Sequence, residues 1–508
     1  MVSLIRDSVL FTTTTFVLLF LPIVLGGYFL IGQRSPTGAA MWLFVASVFF
    51  YGYWMPEFTL LLLTSIAVNF AFGSAIARSM GVDRRFGPLS LPRALLVAGV
   101  TFNLGLLGYF KYANFFVDNL NVALGQHWQL GEIILPIGIS FYSFTQIAFL
   151  VDTSAGKVAE FRAVQYGLFV TYFPHLVAGP VLHHAQMMPQ FADAAVYRFQ
   201  PANFLAGVLI FGIGLFKKVV LADGVAPFAD AVFNPADAGA LPSTGEAWLG
   251  ATAYSLQLYF DFSGYSDMAI GLSWMFNIRL PINFDSPYRA TSISEFWRRW
   301  HISLSKFLRD YLYIALGGNR KGAVRRYINL GMTMVLGGLW HGASWSFVLW
   351  GALHGAYLMV NHGFRALCDR TDWARRLTSR RAFGVVGWVL TMLAVIVAWV
   401  FFRAHSLDGA LRMLGAMAGA GADATGARVM LWNAGLGFSV GLGWCALLAL
   451  AAVVLPNSNL IGERVRQWFA RSRDARSALG TVALLTMLFL VLVNAARDSA
   501  SAFIYFNF

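Results

Sequence analysis

Charged residues are scarce in this chain. Asp, Glu, Lys and Arg make up 12% of its 508 residues, whereas hydrophobic residues make up 58%. A soluble domain ordinarily carries roughly 25% charged residues. With 45 Phe and 16 Trp as well, the chain has too little polar surface to cover a globule in water. The composition excludes an ordinary soluble protein and predicts a polytopic membrane protein.

Cysteine is nearly absent too. Cys368 and Cys445 form no Cys-x-x-Cys pair, so the sequence supports neither a disulfide framework nor a thiolate metal site. The zinc motif His-Glu-x-x-His is missing. Six of the nine histidines also lack carboxylates at a spacing that would predict a zinc site, and these are His127, His183, His184, His354, His362 and His405. We therefore expect no metal and no permanently bound cofactor.

The sequence shows no sign of a cleavable leader, an internal repeat or a soluble insert. The first apolar stretch, 9–31, exceeds the roughly 7–15 residues of a signal-peptide core and lacks a small-residue cleavage pattern. We expect it to be retained as the first span. The sequence predicts one membrane domain over residues 1–508.

Apolar stretches that are long enough, or nearly long enough, to cross a bilayer as helices recur along the chain, since about 20 residues span the hydrocarbon. They are 9–31, 40–54, 58–77, 94–110, 133–151, 165–182, 203–222, 246–273, 327–340, 343–360, 383–402, 429–455 and 478–494. Two of them, 40–54 and 327–340, are short, which predicts re-entrant, tilted or extended helices.

The formal charge of +13 is a possible sign of nucleic-acid binding, but its distribution favours cytoplasmic loops of a membrane protein. Basic residues cluster in four loops, at 78–93, 298–326, 365–381 and 464–476. With all four in the cytoplasm, the number of crossings between Arg93 and Arg298 must be even. Five apolar stretches lie there, so one of them is broken or re-entrant, and the candidates are 165–182, 203–222 and 246–273.

Two histidines lie in or beside strongly apolar sequence, where an ionisable group is costly and indicates function. His301 follows Trp300, and His341 lies between Trp340 and Gly342. A helix over 327–340 is about 21 Å long and, entering from the cytoplasm, places His341 well inside the bilayer. An imidazole there is able to take a proton from an alcohol and return it to a thiolate. The alternative for His341 is a histidine that only hydrogen-bonds neighbouring helices, and the alternative for His301 is an interfacial histidine between lipid and water.

Three other segments predict local structure. Residues 294–316 predict an amphipathic helix along the membrane interface, with Ser292 and Glu295 as a capping box. Asp261 and Asp267 lie in an apolar run with Ser and Gly, which favours a structural role at a helix break or cap. Pro174-His175 and Gly179-Pro180 predict a kinked segment.

Together these segments resemble the membrane-bound O-acyltransferases, in particular the bacterial branch typified by the alginate O-acetyltransferase membrane subunit. The resemblance runs nearly end to end. Its motifs, in order, are 108–112, 135–142, 174–180, 261–267, 295–305, 309–313, 317–320, 337–342 and 503–508. One departure is Asp152-Thr153-Ser154-Ala155, where the family has an Asp-x-Tyr-Arg-like sequence.

The resemblance implies an all-α fold with roughly 11–13 membrane helices, plus re-entrant and interfacial helices, around a transmembrane tunnel. It implies His341 as the essential catalytic histidine and His301 as a second polar position that orients the thioester or stabilises the oxyanion. The residues that we place along the tunnel are Trp340, Trp300, Trp297, Tyr265, Asp267 and Asn283.

The resemblance further implies an O-acetyltransferase of the bacterial inner membrane that uses cytoplasmic acetyl-CoA to acetylate an extracellular polysaccharide, such as alginate, cellulose or peptidoglycan. The implied partners are a periplasmic, membrane-attached esterase-like protein of SGNH type and the polysaccharide secretion machinery. Two alternatives stay open. One is a D-alanyl transferase for teichoic acids, supplied by a carrier-protein thioester. The other is a secondary transporter with Asp261 and Asp267 as coupling sites.

Overall fold

Helices make up nearly all of the regular structure in the computed structural model, as predicted. The described residues are 11–81, 85–158, 161–177, 179–378, 381–422, 429–471, 480 and 503–504. Within them, the strands are Arg85–Phe86 and Leu89–Ser90, which pair antiparallel. The predicted span at 478–494 lies outside the described residues, except for residue 480.

Long apolar helices confirm a multi-pass membrane protein. Among the described residues, four are long and apolar enough to cross a membrane: Pro56–Ser79, Leu91–Leu124, Pro201–Asp237 and Ala382–Arg403. They contain the predicted stretches 58–77, 94–110, 203–222 and 383–402. A broken pair, Phe438–Val454 and Ser458–Arg471, adds a fifth if it is one span.

The chain divides into two compact units. The first comprises Met1–Leu215, Tyr265–Pro281 and Ser458–Ala502. Its helices are Leu21–Gly32, Pro36–Trp54, Pro56–Ser79, Leu91–Leu107, Ala113–Leu124, Ile139–Ser154, Ala163–Thr171, Phe173–Leu176, His184–Ala192, Pro201–Phe216 (which ends at the unit boundary) and Ser458–Arg471. Phe16–Phe20 and Gly108–Tyr112 are π-helical, and Ala194–Tyr197 is a 3₁₀ turn.

Of the three candidates for a broken stretch, 165–182 is the one that the structure interrupts. It forms the short helices Ala163–Thr171 and Phe173–Leu176, which are too short to cross a bilayer. The backbone at the kink is satisfied by neighbours: Phe173 N–H donates to Ser47 Oγ (3.2 Å), and His175 Nε2 lies 3.1 Å from the Phe169 carbonyl oxygen. The predicted kink is confirmed.

The second unit comprises Phe216–Gly264, Ile282–Asn457 and Phe503–Phe508. Its helices are Asp223–Asp237, Thr244–Met275 (which continues into the first unit), Ile293–Arg299, Ile302–Phe307, Ala323–His341, Trp345–Arg370, Asp372–Thr378, Arg381–Arg403, Leu407–Gly415, Val429–Asn433 and Phe438–Val454. Lys217–Ala222, Leu308–Tyr313 and Ala416–Ala420 are π-helical, and Pro287–Arg289 is a 3₁₀ turn. The predicted stretch 429–455 is therefore two helices.

The prediction of one interfacial helix over 294–316 is wrong. The chain breaks at Trp300-His301, where His301 has a φ of +45°. Phe296 and Trp300 are buried in the core of the second unit, because aromatic packing there removes more apolar surface than an interfacial position does. The predicted cap at Ser292 is confirmed: its Oγ accepts the Glu295 N–H (3.3 Å), while the Glu295 carboxylate accepts the Thr291 N–H (2.9 Å).

The prediction of a helix break around Asp261 is also wrong, since Thr244–Met275 is continuous. Lys218 Nζ lies 2.7 Å from Asp261 Oδ1, and the Ile504 N–H donates to Asp261 Oδ2 (3.1 Å). The carboxylate is compensated by a cation and a backbone donor, so no helix end is needed to solvate it. The structural role expected for Asp261 is confirmed as an ion pair.

A close helix pair positions His341. Helices Ala323–His341 and Trp345–Arg370 pack together, and the chain turns between them at Gly342, as predicted. A Cβ at Gly338 would meet the Phe347 carbonyl oxygen, and one at Gly351 would meet the Met334 carbonyl oxygen. Such small residues let helix backbones approach closely in a membrane.

We expect Gly338→Ala to destabilise the protein by about 1–3 kcal/mol, because the added methyl group overpacks the contact with the Phe347 backbone. Thermal unfolding of the detergent-solubilised protein measures this loss. Gly363→Ala is the matched control, since a Cβ there meets no atom within 4 Å. Equal losses of thermal stability in both variants would contradict the prediction.

Candidate active site

His341 ends its helix inside a group of aromatic side chains. Only 5% of the residue is exposed. Its ring centroid lies 4.9 Å from Trp340, 5.1 Å from Trp350 and 5.3 Å from Phe402, with the Trp350 ring nearly perpendicular at 88°. These faces fix the imidazole and place it away from bulk water.

His301 lies beside His341. Their ring centroids are 6.2 Å apart, and His301 also meets the edge or face of Phe262 at 4.8 Å. The structure therefore brings together the two histidines that the sequence singles out, one from the break between two short helices and one from the end of a long helix of the second unit. A small group between the rings would be able to contact both.

Asn283 fixes the tautomer of His301. Its side-chain oxygen lies 3.1 Å from His301 Nδ1 and also accepts the Ser303 N–H (3.3 Å) and the Ser303 hydroxyl (2.8 Å). Because this oxygen only accepts, His301 Nδ1 must carry the proton and donate it. His301 lies outside the candidate membrane-spanning helices, and burial lowers the pKa of its imidazole to about 3. The ring is therefore neutral near pH 7, with Nε2 as a hydrogen-bond acceptor.

The other predicted tunnel residues divide into three groups. Trp340 and Asn283 contact the two histidines directly, whereas Trp297 and Trp300 pack one layer behind them. Trp300 lies 5.0 Å from Trp399, and Trp297 lies 5.8 Å from Trp350, between ring centroids.

Tyr265 and Asp267 belong to the first unit. Tyr265 stacks on Phe11 at 5.2 Å between centroids, and Asp267 is buried. Their place along a tunnel stays a prediction.

Sequence reasoning missed a third histidine, His354, as part of this cluster. It is fully buried, and its Nδ1 accepts the indole N–H of Trp297 (3.3 Å) while its ring lies 4.9 Å from Trp350. His354 lies in the apolar stretch 343–360, so the rule for intramembrane ionisable groups would have identified it.

Several buried N–H donors face no acceptor among the described residues, and two of them contact the paired histidines. These two are Trp350 Nε1 and Asn283 Nδ2. A buried donor without a partner costs about 1–3 kcal/mol, so each of these two is available to a bound group or an ordered water that accepts a hydrogen bond. Trp350 contacts His341, and Asn283 contacts His301, so both donors lie at the paired histidines.

The three histidines lie in a part of the chain that matches a known family. The sequence model of MBOAT, the membrane-bound O-acyltransferase family, matches residues 153–402, which include His301, His341 and His354. A peptidoglycan O-acetyltransferase of Helicobacter pylori is 37% identical over 100% of this chain and 99% of its own length. The protein named "Probable alginate O-acetylase AlgI" in Pseudomonas putida is 45% identical over 80% of each chain. A teichoic acid D-alanyltransferase of Streptococcus thermophilus is 30% identical over 44% of this chain and 56% of its own.

The chain therefore belongs to the membrane-bound O-acyltransferase family and is an O-acyltransferase.

We expect Asn283→Ala to destabilise the protein by about 1–3 kcal/mol, because it removes the oxygen that accepts hydrogen bonds from the buried His301 and Ser303. Thermal unfolding in detergent measures the change. Asn361→Ala is the control, since Asn361 accepts one bond from Ser294 at a half-buried position where water can replace it. A loss of thermal stability in Asn283→Ala no larger than in Asn361→Ala would contradict the proposed anchoring of His301.

Proposed function

We propose that this protein is an O-acetyltransferase of the bacterial inner membrane, which takes an acetyl group from cytoplasmic acetyl-CoA for the O-acetylation of an extracellular polysaccharide. The observation that carries the proposal is the juxtaposition of His301 and His341, 6.2 Å apart between ring centroids in a buried aromatic setting. Two adjacent imidazoles in such a site suit a transfer in which a proton first leaves the acceptor hydroxyl and then passes to the departing thiolate.

His341 acts as the general base. It takes the proton of the acceptor hydroxyl as that oxygen forms a bond to the thioester carbonyl carbon. When the tetrahedral intermediate collapses, the carbon–sulfur bond breaks and the protonated His341 returns the proton to the departing thiolate. The aromatic rings of Trp340, Trp350 and Phe402 exclude water that would otherwise hydrolyse the thioester.

His301 orients the acceptor. The tautomer with the proton on Nδ1 leaves Nε2 without a proton, so neutral His301 does not fit the role of oxyanion donor that the sequence hypothesis allowed. It instead accepts a hydrogen bond from a substrate donor other than the reacting hydroxyl, whose one proton goes to His341. This holds the nucleophile for attack, a form of positioning that contributes strongly to rate.

The oxyanion is stabilised by other groups. The indole N–H of Trp350 and the side-chain N–H of Asn283 are buried donors without acceptors among the described residues, and each lies beside one of the histidines. Hydrogen-bond donors of this kind stabilise a transition state most strongly when they face the developing negative charge in a site that excludes water.

The relatives favour acetyl transfer over D-alanyl transfer. The peptidoglycan and alginate O-acetylating relatives match 100% and 80% of the chain, whereas the D-alanyltransferase matches 44%. The transporter alternative loses its structural basis, because Asp261 lies in a continuous helix and is paired with Lys218. A periplasmic, membrane-attached esterase-like protein is the partner that would place the acetyl group on the polymer.

We expect His341→Ala to lower the rate of acetyl transfer by at least about 100-fold, because the general base is removed. Membranes of a polysaccharide-producing strain are supplied with labelled acetyl-CoA, and label in the isolated polysaccharide is counted. Size-exclusion chromatography checks that the variant remains inserted and monodisperse, and the exposed His127→Ala is the control. Retained labelling in His341→Ala would overturn the proposal, and labelling from a D-alanyl carrier thioester instead would favour the alternative.

We expect Trp350→Phe to lower the rate of acetyl transfer by about 10²–10³-fold with little change in thermal stability, because the ring stays and only the donor is lost. The measurement is the same labelling rate at saturating acetyl-CoA. Trp399→Phe is the comparison variant, since Trp399 is equally buried and stacks on Trp350 at 5.7 Å. Equal rate losses in the two variants would exclude the donor role of Trp350.

A further inference from the structure

A second cluster of ionisable side chains belongs to the first unit, whereas His301 and His341 belong to the second. Asp152 is in the last turn of helix Ile139–Ser154, and His184 begins helix His184–Ala192, directly after His183. Asp152 Oδ2 is 2.9 Å from His183 Nε2 and 3.1 Å from His184 Nε2. One ligand atom from each residue lies within 4.8 Å of the others.

We propose that Asp152, His183 and His184 bind a divalent transition-metal ion, with Zn²⁺ the ion that best fits them. Two imidazoles and one carboxylate form a ligand set that zinc sites use, with a fourth position left for water. Softer thiolate-preferring ions and hard, all-oxygen ions suit this set less well.

The spacing of the ligand atoms fits such an ion. Tetrahedral zinc with bonds of about 2.0–2.1 Å needs ligand atoms roughly 3.3 Å apart. The two Asp152–imidazole separations of 2.9 and 3.1 Å need to open by only a few tenths of an ångström. Asp152 and His184 are almost fully buried, whereas the His183 side chain is 38% exposed. That exposed side gives the ion an entry path and a place for the water ligand.

Two local contacts must change when the ion binds. Lys157 Nζ lies 3.5 Å from Asp152 Oδ1, but its side chain is 68% exposed and is free to swing into water. The Ala185 N–H donates to His183 Nδ1 (3.2 Å), and this contact is lost because ligation through Nε2 places the proton on Nδ1. Both adjustments involve exposed groups, so neither requires the buried ligands to move.

The bound ion would tie the end of one helix to the start of another within the first unit. The protein ligands come from residues 31 positions apart in the chain, which is why local motif spacing does not predict the site. The proposal departs from the expectation, drawn from that spacing, that no metal is bound. It is independent of the reaction proposed at His341.

The test measures metal content, not activity. The full-length protein is purified in detergent, stripped with a chelator, and titrated with Zn²⁺ alone, and retained zinc is measured by mass spectrometry after desalting. We expect about one Zn²⁺ per chain and, with Co²⁺ in its place, visible absorption bands of a four-coordinate site. His183→Gln, at the exposed ligand, should weaken binding more than about 100-fold, beyond the 10–100-fold typical of an outer-shell loss.

Two further variants sharpen the result. Lys157→Gln removes the competing ammonium and should bind zinc several-fold more tightly, whereas His127→Gln, at an exposed histidine outside the cluster, should leave binding unchanged. Zinc retention in wild type no greater than in His183→Gln would overturn the proposal. So would weaker binding in Lys157→Gln, since that result assigns the cluster to a salt bridge.

Discussion

The close contact of helices Ala323–His341 and Trp345–Arg370 is the constraint on which the candidate active site depends. With glycine at positions 338 and 351, the backbones approach until carbonyl oxygens would meet an added Cβ. That approach brings Trp350 of the second helix against His341 at the end of the first. Bulkier residues would separate the helices, and the aromatic surroundings of the imidazole would open to water.

The position of His301 depends on backbone hydrogen bonds between two segments of the chain. Segment 283–285 pairs with the chain at 299–302: Ile302 N–H donates to the Asn283 carbonyl oxygen (3.0 Å), and Asp285 N–H donates to the Arg299 carbonyl oxygen (2.9 Å). These bonds hold the break between two short helices, where His301 adopts a left-handed conformation that non-glycine residues rarely take. Strain of this kind persists where the surroundings fix it, and it is common at functional sites.

The sequence predicted much of this because the governing physics is local. Scarcity of charge and long apolar runs give a helical membrane protein, and the cost of a buried imidazole identifies His301 and His341. The break at His301 was missed because Phe296 and Trp300 fit an interfacial helix as well as a core. The continuous helix through Asp261 was missed because its partner, Lys218, lies 43 positions away. An ion pair between residues that are distant in sequence produces no periodic pattern from which it could be predicted.

The ion pair at Asp261 bears on how the protein is made. Lys218 is synthesised before Asp261, but Ile504, whose N–H completes the shell of that carboxylate, emerges from the ribosome some 240 residues later. Until Ile504 is synthesised, the partner of Asp261 among the described residues is Lys218, which also lies 2.9 Å from Asp223. Completion of this part of the second unit is therefore a late event in synthesis.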